Sequence, residues 1–150
     1  MSKSRSGSIV KTKSVYDSAE SSDGVRILVT RFHPRKKGFK KGIGYDIWLK
    51  GLSPPKEMLT AFRKGEITQD KFKEMYLENL QENDGREGEK GSYRDTEVGR
   101  ALNEVGNILL QKGGEKKNNA IITLLCYEPE DGETFCHRHV LKDYLFERKV

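Results

Sequence analysis

Ala120-Ile121-Ile122-Thr123-Leu124-Leu125 is a run of six residues without a charge, in a chain where 34% of the residues are charged. Such a short, continuous apolar run is typical of a β-strand that is covered on both faces. A second run, Val25-Arg26-Ile27-Leu28-Val29-Thr30, has a similar β-branched and apolar composition. The two runs predict the core strands of a buried sheet.

Apolar residues at helical spacing fill much of the remaining chain. They recur within residues 53–64, 68–80, 96–112 and 135–148, with Ser53, Thr68 and Thr134 as predicted N-caps. Strands that alternate with helices favour a parallel sheet. We therefore predict an α/β fold, a three-layer sandwich around a small, mostly parallel sheet with helices on both faces. Residues 9–16 are expected to add an antiparallel edge strand, and residues 43–52 to form an irregular segment.

Length and composition indicate one domain. The chain has 150 residues, and residues 1–8 are predicted to be a disordered basic tail ahead of a single domain at 9–150. Residues 83–95 mix charges with Gly and Asn, which predicts a mobile charged loop. No apolar run approaches the roughly 20 residues that span a bilayer, and no secretory signal is visible. Because two cysteines form no disulfide framework, we expect a cytoplasmic protein with no membrane association.

Positive charge is concentrated in residues 31–41, which we call the basic segment: six of its eleven residues are Lys or Arg. Phe32, His33 and Phe39 lie between these cations. Cations that contact phosphates and rings that stack on bases are features of nucleic-acid surfaces, although a solvated basic turn is the plainer interpretation. No helix-turn-helix, zinc finger, Walker loop or G-x-G-x-x-G accompanies the segment. We interpret it first as an anion-attracting loop and second as a nucleic-acid site.

Cys136 and His137 are the candidate catalytic residues. They are predicted in the first turn of the last helix, where unpaired backbone N–H groups bind anions and lower the pKa of a thiol. With Arg138 and His139 beside them, this turn offers a nucleophile, a base and an anion holder. The plainer interpretation is that Cys136 is a small buried hydrophobe and that the histidines are ordinary surface residues.

A metal or redox site is a further interpretation of the same segment. Cys126, Cys136, His137 and His139 could supply zinc ligands, but adjacent helical residues point about 100° apart and there is no C-x-x-C pair. We therefore predict no metal and no cofactor. A Cys126–Cys136 disulfide is disfavoured in a reducing compartment, except as a transient redox couple.

Three blocks of sequence carry a family resemblance. The first comprises Val15-Tyr16-Asp17, Asp23-Gly24-Val25-Arg26-Ile27-Leu28-Val29-Thr30-Arg31 and Pro34-Arg35; the second is Asp46-x-Trp48-Leu49-Lys50-x-Leu52-Ser53-Pro54; the third is Leu124-Leu125-Cys126-x-Glu128 followed by Cys136-His137-Arg138. In this order they resemble the YeaO-like family of uncharacterised proteins, in the DUF 488 superfamily of domains of unknown function, over most of residues 15–145. The resemblance implies a small α/β domain without an established biochemical role.

Two positions depart from the pattern of that family. Thr30 stands where family members usually carry an acid, and His33 stands where they usually carry a tryptophan. If that acid binds a ligand in the relatives, the ligand or the chemistry differs here. The resemblance makes further residues candidates for the wall of a site: Arg26, Arg31, Arg35, Asp46 and Trp48. Asp46 is also a candidate ion-pair partner of one of these arginines.

The leading hypothesis is a domain that binds an anion, a phosphate or a nucleotide, with a reactive cysteine at a helix N-terminus. Ligands of open α/β sheets bind beyond the carboxyl ends of the strands, where both unusual segments are predicted. The proposed ligand-binding residues are Arg26, Arg31, Arg35, Asp46, Trp48, Cys126, Glu128 and Arg138. The alternatives are a nucleic-acid-binding accessory protein that uses the basic segment, and an interaction module that docks a partner. The sequence leaves open whether the protein is an enzyme, what its ligand is and how it assembles.

Overall fold

The structure, a computed structural model, describes residues 9–84, 96–113, 121–128 and 135–148. Its strands are β1 (Ile9–Ser14), β2 (Val25–Leu28), β3 (Ile47–Trp48) and β4 (Ile121–Cys126). Its α-helices are α1 (Lys56–Arg63), α2 (Gln69–Asn83), α3 (Glu97–Gly113) and α4 (His137–Arg148), and short 3-10 helices occupy Ser21–Asp23 and Lys50–Leu52. The predicted α/β class is confirmed. The predicted tail at 1–8 and nearly all of the predicted loop at 83–95 lie outside the described residues.

The sheet has the strand order β1-β4-β2-β3 in the described ranges, and all its paired strands are parallel. β4 lies between β1 and β2, so the two predicted core strands are neighbours. Ile9 is paired with Ile121 at one end of β1, and Ser14 with Cys126 at the other. The edge strand β1 is therefore parallel to β4, and the expectation of an antiparallel edge was wrong. Because the strands are parallel, their carboxyl ends meet at one edge of the sheet.

One face of the sheet is packed against the helices. The strands contribute Ile27, Ile122 and Leu124 to the hydrophobic core on this face, and all three residues are completely buried. The helices supply the rest of this core: Met58, Phe72, Tyr76, Leu80, Ala101, Leu102, Val105, Leu109, Val140, Leu141 and Leu145. Side chains of alternate strand residues point to the same face, so Cys126 lies on this helix-covered face with Leu124.

The opposite face of the sheet is covered by loop residues. Leu28 and Leu125 pack there against Phe39 and Tyr45, which come from the connection between β2 and β3, and against Val15. Trp48 packs against the same cluster and donates a hydrogen bond from its indole Nε1 to the Thr30 carbonyl at 2.8 Å. Among the described residues, the buried hydrophobic side chains of α1 to α4 all pack in the core on the first face. The second covering layer expected from the sequence is thus a loop there.

Two helix starts differ from the sequence prediction. α1 begins at Lys56 with Pro55 as its N-cap, whereas Ser53 is buried and its hydroxyl donates to the Lys50 carbonyl at 2.7 Å. The residue before a proline is pushed toward extended backbone, so the Pro54-Pro55 pair delays the helix. α4 begins at His137 rather than at 135, and Thr134 is outside the described residues. The predicted Thr68 N-cap of α2 is confirmed, because its hydroxyl accepts the Lys71 backbone N–H at 3.0 Å.

Residues 43–52 are more regular than predicted, since they contain β3 and one of the 3-10 helices. Trp48 pairs with Leu28 at the edge of the sheet. None of the helices in the described ranges is both long enough and apolar enough to cross a membrane.

Candidate functional site

Two cysteines and a histidine converge at the carboxyl edge of the sheet. Cys126 is the last residue of β4, His137 is the first residue of α4, and Cys136 directly precedes that helix. The two sulfur atoms and a ring nitrogen of His137 all lie within 4.8 Å of one another. The three side chains are between 3% and 7% exposed. We call this group the Cys-Cys-His cluster.

His137 is held in place by the neighbouring strand. Its Nε2 lies 2.8 Å from the carbonyl oxygen of Val29, which directly follows β2, and the edge of the His137 ring meets the Tyr76 ring at 87°. A carbonyl can only accept, so Nε2 carries a hydrogen, and in a neutral ring Nδ1 is then the bare nitrogen. Nδ1 lies 3.8 Å from the Cys136 sulfur and 4.0 Å from the Cys126 sulfur. The lone pair of this histidine is therefore presented to both cysteines.

Glu128 and Arg138 complete the polar surroundings of the cluster. The Glu128 Oε1 lies 3.1 Å from the Cys126 sulfur. Arg138 is completely buried; it donates from Nη2 to the Glu128 backbone carbonyl at 2.8 Å, and from Nη1 to the Cys136 sulfur at 3.5 Å. Glu128 is half-buried, so this contact of Cys126 is with a residue that reaches solvent.

The two thiols have opposite tendencies to ionise. The hydrogen bond from Cys136, followed by the contacts with His137, lowers the pKa of Cys126 well below its ordinary value in spite of burial. The same hydrogen bond, followed by burial, raises the pKa of Cys136. Burial, followed by the negative charge on Cys126, raises the pKa of the Glu128 carboxyl. The lowered pKa makes Cys126 the candidate nucleophile of the pair, whereas the sequence had suggested Cys136.

Cys136 and His137 converge although they are adjacent in sequence. Inside a helix their side chains would diverge by about 100°, and the prediction of no shared metal ion assumed that both residues lie there. Cys136 instead precedes α4, and its carbonyl accepts the His139 backbone N–H at 3.1 Å as the first turn closes. That geometric objection was therefore wrong. His139 does not belong to the group of ligand atoms that converge here.

Arg31 and Arg35 were predicted to face the cysteine segment. Arg31 lies two residues beyond Val29, whose carbonyl holds His137, so it is at the same edge of the sheet. Its Nη2 lies 3.4 Å from the carbonyls of Ser53 and Pro54, and its Nη1 lies 3.4 Å from a Glu97 carboxylate oxygen. The buried Nε of Arg31 has no hydrogen-bond partner among the described residues. Arg35 is exposed, farther along the basic segment.

Arg26, Asp46 and Trp48 belong to the opposite face of the sheet. The Arg26 guanidinium forms an ion pair with Asp23 and donates to the Gly44 carbonyl at 2.8 Å. Asp46 accepts the backbone N–H of Arg26 at 2.8 Å, so it contacts the main chain of an arginine. These contacts hold the loop-covered face together. The structure does not bring these residues to the Cys-Cys-His cluster.

Two contacts of the site were missed in the sequence. Tyr76 supplies the ring against His137, and the Tyr127 hydroxyl donates to the Phe32 carbonyl at 2.6 Å, which ties the basic segment to the end of β4. The one sequence signal for Tyr76 was a polar hydroxyl on the apolar stripe of α2, between Phe72 and Leu80. A buried Tyr needs a partner for its hydroxyl, but the sequence does not identify that partner.

By fold and site, this is a small α/β protein with a cysteine–histidine cluster at the carboxyl ends of its parallel strands. The chain belongs to the DUF488-N3a family, described as the active DUF488-N3 subclade, whose model matches residues 10–149. It is similar to the uncharacterized protein YeaO of Escherichia coli (strain K12), with 40% identity over 82 residues that cover 54% of this chain and 69% of that protein. No solved structure matches the chain. The family resemblance that the sequence blocks indicated is confirmed.

Proposed function

We propose that this protein is a thiol-dependent enzyme for a small anionic substrate, with Cys126 as its nucleophile. The observation that carries the proposal is the convergence of Cys136, His137 and Glu128 on the Cys126 sulfur at the carboxyl edge of the sheet. This edge is where open α/β folds bind their ligands. The description of the matching family model as an active subclade supports a chemical role.

Each neighbour of Cys126 has a role in this proposal. The Cys126 sulfur bonds to an electrophilic atom of the substrate, while the bond to the leaving group breaks and the leaving group keeps the electron pair. Glu128, which contacts the sulfur and is half-buried, supplies a proton to the leaving group. Cys136 donates a hydrogen bond to the thiolate. His137 fixes the position of both sulfurs through its contact with Val29.

Two arginines support an anionic substrate. Arg138 places a buried positive charge beside Cys136. The buried Nε of Arg31 lacks a partner in the described part of the chain, and an anionic oxygen would satisfy this donor. A net charge of +5 adds a general attraction for anions. We therefore include Arg31 and Arg138 in the ligand-binding set, with Arg35 as a more distant contributor.

Alkylation with iodoacetamide, followed by mass spectrometry of peptides, tests which thiol reacts. We expect Cys126 to react at least about tenfold faster than Cys136 in the folded protein, and the two rates to become similar in urea. Millimolar phosphate should slow the reaction at Cys126, and Arg31→Gln should weaken this protection. His139→Gln is the matched control for His137→Gln, and only the latter should change the preference for Cys126. Faster labelling of Cys136 in the folded protein would contradict the proposal.

Nucleic-acid binding by the basic segment is the second candidate function. Phe32 is 53% exposed beside exposed cations of this segment, which supports base stacking there. Phe39 is buried in the loop-covered face, so that ring is not available to a base. A gel shift with a single-stranded oligonucleotide at low salt, and its loss as salt rises, tests this function. Binding that survives Phe32→Ala and Lys40→Gln unchanged would argue against this surface.

A further inference from the structure

We propose that Cys126, Cys136 and His137 also bind a thiophilic divalent metal ion, for which Zn²⁺ is the natural candidate. Thiolate sulfur and imidazole nitrogen are the ligands that zinc prefers in proteins. The site consists of these ligand atoms and their supports alone, so metal binding does not depend on the proposed enzymatic role.

The distances from the His137 Nδ1 to the two sulfurs are close to those of a tetrahedral site, and the two sulfurs lie within 4.8 Å of each other. Zinc binds sulfur at about 2.3 Å and imidazole nitrogen at about 2.0–2.1 Å, which separates tetrahedral ligands by about 3.5–3.8 Å. The His137 Nδ1 is 3.8 Å from the Cys136 sulfur and 4.0 Å from the Cys126 sulfur. Small side-chain adjustments are therefore enough to close the three atoms around one ion.

The groups behind the ligands provide independent support. Metal-bound histidines generally donate their other ring N–H to a carbonyl or carboxylate, which orients the ring and fixes the tautomer. His137 already makes this bond, from Nε2 to the Val29 carbonyl at 2.8 Å. Arg138 donates to the Cys136 sulfur at 3.5 Å. These contacts hold the His137 ring and the Cys136 sulfur in orientations that suit metal ligands.

Glu128 lies beside the three converging ligand atoms without belonging to their group. Its Oε1 lies 3.1 Å from the Cys126 sulfur, so a modest movement makes it the fourth ligand, and otherwise water fills that position. The buried charges then balance, because two thiolates offset Zn²⁺ and the Glu128 carboxylate offsets Arg138. A balanced set of charges matters here because the cluster is almost completely removed from solvent.

Metal binding would mask the sulfur of Cys126. A thiolate that coordinates Zn²⁺ in a closed four-ligand site is less available to an external electrophile. The zinc-bound protein is then the protected form of this thiol pair, and the metal-free protein is the form that alkylates.

Cobalt substitution tests the site directly. The full chain is stripped with a chelator under reducing conditions, and Co²⁺ is then added as a spectroscopic probe. We expect one equivalent to produce the intense visible bands of tetrahedral Co²⁺ and a thiolate-to-cobalt charge-transfer band, and Zn²⁺ to abolish both. Cys126→Ser, Cys136→Ser and His137→Gln should each weaken binding at least about tenfold, whereas His139→Gln should not.

Two results would overturn the inference: a weak octahedral cobalt spectrum without a thiolate band, or equal affinity in the wild type and His137→Gln. If a cysteine variant does not fold, the wild-type protein provides the test instead. Saturating Zn²⁺ must raise its melting temperature if the ion binds the folded protein. Alkylation of the metal-free protein separates this inference from the proposed function. Fast labelling of Cys126 without cobalt binding would contradict only the metal site. Tetrahedral cobalt binding without preferential labelling of Cys126 would contradict only its role as the nucleophile.

Discussion

Tyr76 connects the helix layer to the Cys-Cys-His cluster through two contacts. It is completely buried; its hydroxyl donates to the Leu52 carbonyl at 2.5 Å, and its ring packs against His137. Burial raises the pKa of Tyr76 well above its ordinary value. The hydroxyl therefore remains a hydrogen-bond donor at neutral pH. Its removal would deprive the buried Leu52 carbonyl of this donor.

We expect Tyr76→Phe to lower the free energy of unfolding by about 1–3 kcal/mol, because the buried Leu52 carbonyl loses this donor. Urea denaturation with matched m-values measures the difference. Tyr127→Phe is the control, since it removes a hydroxyl bond at a more exposed position, to the Phe32 carbonyl. Equal losses of unfolding free energy in the two variants would show that burial does not make the Tyr76 hydrogen bond more stabilising.

The direction of the Cys136 side chain could not be predicted from the sequence. The motif Cys136-His137-Arg138 identified the right segment, because unusual residue types cluster there. It did not reveal that α4 begins one residue after Cys136, and that boundary sets the direction of the thiol. Helix ends are uncertain by one or two residues in sequence, and one residue changes side-chain direction by about 100°.

Gly24 controls how β2 enters the sheet beside β4. Its φ of 66° lies in the left-handed region, and a Cβ added there would clash with the backbone carbonyl oxygen of Ile121. The close approach lets the Thr123 hydroxyl donate to the Asp23 carbonyl at 2.7 Å. A side chain at this position would separate the two central strands.

Gly24→Ala should destabilise the protein by more than the roughly 1–3 kcal/mol of backbone strain alone, because a clash with β4 adds to it. Gly65→Ala is the matched control: its φ is 76°, and a Cβ added there would meet no atom of the described residues within 4 Å. Thermal melts of both variants give the comparison. If Gly24→Ala lowers the melting temperature no more than Gly65→Ala does, the protein accommodates the added Cβ beside Ile121 without a further loss of stability.

Elements with strong periodicity were predictable, and short or turn-controlled elements were not. β2 and β4 followed from two continuous apolar runs, and α2 followed from its Thr68 cap and apolar stripe. β3 has only two residues, so no pattern of alternation could identify it. The parallel direction of β1 depends on its pairing with residues more than a hundred positions away, which local sequence does not record.

At the scale of the whole molecule, a buried ionic cluster anchors the sheet away from the candidate site. The Asp23 carboxylate is completely buried, pairs with Arg26, and lies 3.2 Å from the Lys13 Nζ. Burial alone would raise the pKa of Asp23, but hydrogen bonds from the Glu20 backbone N–H, Lys13 and Arg26 outweigh it and hold the pKa below its ordinary 3.8. Arg26 was predicted at the ligand site, because the sequence does not reveal which face of β2 the Cys-Cys-His cluster occupies.

This ionic cluster predicts a specific loss of stability in acid. Since the folded pKa of Asp23 is below the unfolded value, its contribution is complete above pH 3.8 and is lost as the pH falls through the folded value. The free energy of unfolding, measured by urea titration between neutral and strongly acidic pH, should show this decline. Asp23→Asn should be less stable at neutral pH and should show a shallower decline below pH 3.8. If the free energy of unfolding of Asp23→Asn falls in acid as steeply as that of the wild type, other carboxylates cause the loss of stability.

The position of β4 between β1 and β2 has a consequence for biosynthesis. Both of these strands pair with residues 121–126, so neither can complete its ladder while the ribosome is still adding the preceding hundred or so residues. Until then, both strands of the nascent chain have open backbone edges, and such edges are prone to aggregation. High contact order of this kind slows folding, so the emerging chain is a natural client for chaperones that shield apolar strands.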